Sequence, residues 1–166
     1  MTEAEKIAKQ LQLQPHPEGG YFKETYRSHG SINQTDLSDD ISGNRNYSTA
    51  IYFLLTSDSF SAFHRIKQEE IWHFYKGSPI KLHILSEKGL YTHITIGNNL
   101  ENREFPQYVV SAKDWFAAEV LGLDTYSLLG CTVSPGFDFK DFELAERNVL
   151  ISTFPQHNKI IEKLTR

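Results

Sequence analysis

An all-β fold, a sandwich or barrel of short strands, is predicted by three observations in the amino-acid sequence. Runs rich in aliphatic and aromatic residues recur at short intervals from residue 47 to residue 133, and clusters of turn residues part them. The βαβ alternation of a nucleotide-binding parallel sheet is missing. Aromatic residues make up 13% of the 166-residue chain, a share that suits strands and pocket walls.

A short helix is expected over residues 2–12, where Thr2 and Glu5 suit a capping box and Ile7 and Leu11 share a face. Pro15, Pro17, Gly19 and Gly20 end it with a stiff, sharply bent backbone. Residues 21–27 alternate as a strand, with Phe22, Glu24 and Tyr26 on one face and Tyr21, Lys23, Thr25 and Arg27 on the other. Residues 29–46 are rich in Ser, Asn, Asp and Gly and read as a long structureless loop. Strands are predicted at 47–55, 60–66, 70–76, 80–85, 90–97, 107–111, 114–120 and 125–133. The tail is read as two short helices, about 142–153 and 156–164, broken at Pro155. Residues 1–166 are expected to form a single domain, with a barrel core at about 20–140 and a helical tail at about 142–164.

The formal charge is −4 and no basic block occurs, which argues against nucleic acid and anionic membrane as partners. No apolar run approaches the ~20 residues of a membrane span, and the N-terminus lacks the pattern of a signal peptide. Cys131 is the only cysteine, so no intramolecular disulfide can form and a reducing compartment fits. These features point to a cytoplasmic protein.

His64 and Glu70 are the first candidates for chemistry. His64 shares a strand face with Ala62 and Ile66; Glu70 shares the next strand's face with Trp72 and Phe74. If both faces point inward, the two can meet across the strand pair. An imidazole and a carboxylate can hold a metal, exchange a proton, or satisfy one another as a buried polar pair. His73 follows Glu70 by three positions, which on a strand turns the two to opposite faces. Glu24, between Phe22 and Tyr26, lines a pocket if its face is the inner one and is a solvated charge if not. His83 and His93 read as solvent-side sheet residues, and Cys131 as a small buried hydrophobe.

The stretch from His64 to Gly77 resembles the first motif of the cupin barrels, with His64, Glu70 and Gly77 in matching places and Ile66 where a second histidine is usual. The nearest match to the second motif is Ser111-Ala112-Lys113-Asp114-Trp115-Phe116, with Phe116 in the place of its histidine. More of the chain is similar to the fifth cupin family, long catalogued as a domain of unknown function. Its opening signature is matched by Pro15-His16-Pro17-Glu18-Gly19-Gly20-Tyr21-Phe22-Lys23-Glu24-Thr25-Tyr26-Arg27-Ser28. Later signatures are matched by Ser48–Leu55, Glu70–Phe74 and Val133–Phe139.

The resemblance implies a double-stranded β-helix, the cupin jelly roll, with short N- and C-terminal helices, a pocket at the barrel mouth, and a homodimer. Related folds include the sugar-nucleotide 3,5-epimerases, which need no metal and use a histidine base. With two metal-ligand positions apolar, no metal and no cofactor are expected. The function expected is binding of a small polar, carbohydrate-like metabolite, with epimerase- or isomerase-type chemistry in which His64 is the general base and Glu70 orients it or balances its charge. Glu24, Tyr26, Trp72, Phe74 and Phe116 are the expected ligand-binding residues. The alternatives are a non-catalytic binding or sensing cupin, and a metal enzyme that recruits Glu24 or His73 as a ligand.

Overall fold

A computed structural model describes residues 1–166. Helix α1 (Glu3–Leu11) begins at a complete Thr2/Glu5 capping box and ends at Gln12 in the left-handed conformation. Strands follow: β1 (Gln14–Pro15), β2 (Tyr21–Arg27), β3 (Ser31–Ile32), β4 (Arg45–Asn46), β5 (Thr49–Thr56), β6 (Phe60–Arg65), β7 (Glu69–Gly77), β8 (Ile80–Leu85), β9 (Tyr91–Ile96), β10 (Gln107–Val110), β11 (Trp115–Val120), β12 (Tyr126–Ser134) and β13 (Glu143–Leu144). Helices α2 (Arg147–Thr153) and α3 (Asn158–Lys163) close the chain.

The strands form two antiparallel sheets in the orders β1-β2-β5-β12-β7-β10 and β13-β6-β11-β8-β9. Consecutive strands β5, β6, β7 and β8 alternate between them, as a jelly roll requires. Their inner faces enclose the main core, in which Phe53, Leu55, Trp72, Leu82, Phe116 and Leu129 are almost wholly buried. A second core lies on the outer face of the five-stranded sheet, where α2 and α3 bring Leu150, Phe154, Ile161 and Leu164 onto Phe63, Leu85 and Trp115. Helix α1 covers only one corner of the six-stranded sheet, through Ala4, Ile7 and Leu54.

Three departures from the sequence reading have local causes. Residues 29–46 are not structureless. Strands β3 and β4 pair, a 3-10 turn spans Gln34–Asp36, and the Gln34 side chain closes the loop by accepting from Gly43 N at 2.9 Å. The loop is pinned from outside by a buried Arg45–Asp141 pair, Nε to Oδ2 at 2.7 Å and Nη2 to Oδ1 at 2.8 Å. The tail does not become helical until Arg147, because Glu143 and Leu144 pair with Arg65 and His64 on β6. His83 faces the tail helices rather than solvent, bonded to Tyr91 Oη at 2.8 Å and Glu119 Oε1 at 3.1 Å.

Candidate functional site

One end of the space between the sheets is hollow. A cavity of about 360 Å³ opens there, within the range of small-molecule sites. Its walls come from β2, β5, β6, β7 and β12, from the turn between β1 and β2, and from the segment just before β13.

The turn 16–20 does the least obvious work. Gly19 has φ +113°, and a Cβ there would collide with the Phe60 carbonyl oxygen. Glycine therefore lets the turn press against β6, where Ala62 N donates to Glu18 O at 2.7 Å. The Glu18 carboxylate is thereby driven into the barrel. It meets His64 Nε2 at 2.8 Å and accepts from Ser61 Oγ at 2.9 Å. His64 Nδ1 lies 2.7 Å from Ala62 O, an acceptor, so that nitrogen carries a proton. With a carboxylate at the other nitrogen, His64 is held as an imidazolium. Burial opposes its charge, but the Glu18 carboxylate and its hydrogen bond, aided by Glu70, outweigh it and raise the His64 pKa. Burial likewise pushes Glu18 up, and the charge of His64 with the hydrogen bonds from His64 and Ser61 brings it below the ordinary carboxylate value. The two directions agree on a buried ion pair.

Glu70 faces this pair from the opposite sheet. It forms no ion pair with His64, and its pKa is pushed up to about 7, first by burial and then by the Glu18 charge, against the pull of His64. The Cys131 thiol, beside it on β12, hydrogen-bonds it, while burial and Glu70 hold that thiol well above its ordinary value. His16 also lines the interior. Its Nδ1 accepts from Glu18 N at 3.2 Å, which places its proton on Nε2, and burial lowers its pKa, so it is neutral.

At the mouth, Arg27 forks onto Glu24, Nε to Oε1 at 2.9 Å and Nη2 to Oε2 at 2.8 Å, and reaches Phe137 O at 3.0 Å. Phe137, Phe139 and Phe142 pack edge to face beside it.

Of the residues expected from the sequence, His64, Glu70 and Glu24 line the cavity; Tyr26, Trp72, Phe74 and Phe116 do not. Tyr26 is turned out because β2 bulges between Glu24 and Tyr26, which inverts the alternation and brings Arg27 inward instead. Trp72, Phe74 and Phe116 pack in the main core, where Phe116 abuts the His64 ring at 4.1 Å between centroids. The meeting of His64 and Glu70 across a strand pair is corrected too: β6 and β7 lie in different sheets, and the partner of His64 is Glu18. Glu18 and His16 were missed because a turn has no periodicity to read. The available signal was a carboxylate held between Pro17 and two glycines.

The metal site of other cupins does not fit this donor set. Ile66 and Phe116 offer no ligand atom, both nitrogens of His64 are engaged, and Glu24 is committed to Arg27. His73 lies outside the barrel, bonded to Thr132 Oγ1 at 3.0 Å. No group of three or more His, Cys, Asp or Glu side chains is arranged to hold a metal ion.

Residues 5–145 match the model of Cupin_5, described as cupin superfamily (DUF985). The chain is 33% identical over 146 residues to the uncharacterised protein YML079W of Saccharomyces cerevisiae, a match covering 82% of this chain and 72% of that protein. It superposes on protein SO0799 from Shewanella oneidensis with a TM-score of 0.89 and 35% identity, over 100% of this chain and 99% of that one. A hypothetical protein from Leishmania major gives 0.89 and 34%, over 99% of each chain. Oxalate decarboxylase from Bacillus subtilis, at 0.56 and 14% identity over 90% of this chain and 36% of that one, shares the fold alone. The chain belongs to the fifth cupin family of the cupin superfamily.

Proposed function

We propose that the cavity binds a small polar, carbohydrate-like metabolite and carries out metal-independent proton transfer of the epimerase or isomerase type. One observation carries this reading: Glu70 is a buried carboxylate facing the cavity with a pKa of about 7, so both protonation states are populated near neutrality. Glu70 takes the acid–base role that the sequence suggested for His64, because His64 is already charged and committed to Glu18. The imidazolium supplies fixed positive charge in a water-poor interior, suited to an enolate-like oxygen formed when a proton leaves the carbon beside a carbonyl. His16 Nε2–H has no acceptor within the protein and is free to orient the ligand.

The test is solvent exchange. The protein would be incubated in deuterated water with aldoses, ketoses and their derivatives, and deuterium uptake followed by NMR. Uptake abolished by Glu70→Gln supports the reading; no uptake across the panel sinks it. A non-catalytic binding cupin is the second reading, favoured by the commitment of His64 to Glu18. Retained ligand binding without exchange would select it.

A homodimer in a reducing, cytoplasmic setting belongs to the same proposal. The outer face of the six-stranded sheet carries a transverse row of Tyr26, Ala50, Thr132, Ile71 and Val109, beside half-exposed Tyr75, and α1 covers only a far corner. A partly apolar face of this kind suits a second copy. Sedimentation of the protein as a monomer at micromolar concentration would refute it.

A further inference from the structure

We propose that the ligand of this cavity is a small organic cation, an ammonium-bearing polar metabolite, held between the phenylalanines of the mouth and the carboxylates Asp138 and Glu70. The proposal rests on the cavity being a ligand site and adds the charge of what it takes.

The charges of the lining decide the sign. Its two cations are each matched by a carboxylate: Arg27 is forked onto Glu24, and His64 is paired with Glu18. Asp138 and Glu70 are left over. Asp138 lines the cavity half-buried, uses only Oδ1, to cap Lys140 N at 2.9 Å, and forms no ion pair; Arg27 and Arg45 attract it from a distance while bonded to Glu24 and Asp141. Glu70 has only the Cys131 thiol as a hydrogen-bonding side chain. A phosphate or carboxylate ligand would enter a cavity with no unmatched cation and up to two unmatched anions. An ammonium group would meet two carboxylates whose oxygens await donors.

The aromatic residues point the same way. Phe137 and Phe139 lie 4.9 Å apart at 81°, and Phe139 and Phe142 5.8 Å apart at 73°, so their faces are turned in different directions around the opening. Phe22 lies across from them, beside His16 at 4.6 Å. Phe139 remains 50% exposed at the rim. Ring faces carry partial negative charge and attract cations, most strongly where water is excluded. A neutral sugar can donate its hydroxyls to these carboxylates but leaves their charge unbalanced.

The proposal also fixes a pH dependence. Glu70 faces His64 on β6, Glu18 and His16 on the 16–20 turn, and Cys131 on β12. Burial and the Glu18 charge place Glu70 to ionise near neutrality, so a cation binds more tightly as pH rises from about 6 to about 8.

Probes of matched shape and different charge test it by calorimetry on the full-length protein: choline, 3,3-dimethylbutan-1-ol and 3,3-dimethylbutanoate, with D-glucosamine, D-glucose and D-glucose 6-phosphate as the carbohydrate set. The cation of at least one set is expected to bind about ten- to thirtyfold more tightly than its neutral partner, with the anion weakest. Asp138→Asn, at the half-buried rim, should reduce that preference severalfold; Glu70→Gln should remove its pH dependence. Equal or better binding of the neutral or anionic probes in both sets overturns the cation inference while leaving the cavity a ligand site. No binding of any probe at tens of millimolar overturns both. Cation binding without deuterium exchange leaves the inference standing and removes the enzymatic reading.

Discussion

Replacing Glu18 with Gln removes one charge of the buried pair and keeps the side-chain shape. The Glu18 and His64 side chains are 7% and 2% exposed, so His64 would be left in a site where burial is the dominant influence on its charge. Its pKa should move from above the ordinary 6.5 to below it. Breaking a buried pair from one side costs about 3–5 kcal/mol. The amide can still hydrogen-bond the neutral ring, which places Glu18→Gln near about 3 kcal/mol. The sign with pH follows from the directions of the two shifts. Glu18, lowered, contributes stability that is present above its unfolded value and lost as pH falls through its folded value. His64, raised, contributes stability that is present below its unfolded value and lost as pH rises through its folded value. The loss should therefore be largest between about pH 4.3 and about pH 6.5. Urea unfolding across pH, with the His64 ring followed by NMR, measures both quantities. A change below about 1 kcal/mol together with an unmoved His64 titration would refute the ion pair.

Other expected outcomes follow from the same geometry. Raising the Glu70 pKa from 4.5 to about 7 means that its ionisation costs about 3 kcal/mol of folding free energy. Stability of the natural protein should fall between those two pH values relative to Glu70→Gln, and parallel pH curves for the two proteins would contradict this. Asp141→Asn should cost about 3–5 kcal/mol by stranding Arg45, and should speed amide exchange in residues 31–46; unchanged exchange there would show that the pair does not pin the loop. Gly19→Ala should weaken the fold and disturb the His64 ring signal together, because a Cβ forces the 16–20 turn away from Phe60 and with it Glu18. An undisturbed His64 signal would disconnect that turn from the site.

Most strands were legible because turn residues fall where the chain reverses and because inner faces alternate with period two. The arrangement of their faces was legible only where that period is unbroken. The bulge before Tyr26 exchanged Tyr26 for Arg27 at the mouth, and nothing in the sequence YFKETYR marks it. His83 alternates like a surface residue, yet it is buried beside Tyr91 and Glu119, on the face of the sheet that the tail helices pack against. His64 and Glu70 stood out because they lie on strands within a known motif. Their chemistry was not legible, since it depends on Glu18, which arrives from a turn more than forty residues earlier in the chain.

His64 and Glu70 divide the protonation states between them: His64 is charged and paired, and Glu70 titrates near neutrality. Carbon-13 NMR of the glutamate carboxyls and histidine rings across pH 4 to 9, with Glu70→Gln and Glu18→Gln for assignment, tests it most directly. A Glu70 midpoint near 7 is expected, with His64 still an imidazolium where an ordinary histidine has become neutral. A Glu70 midpoint near 4.5, with His64 losing its proton at or below 6.5, would contradict it.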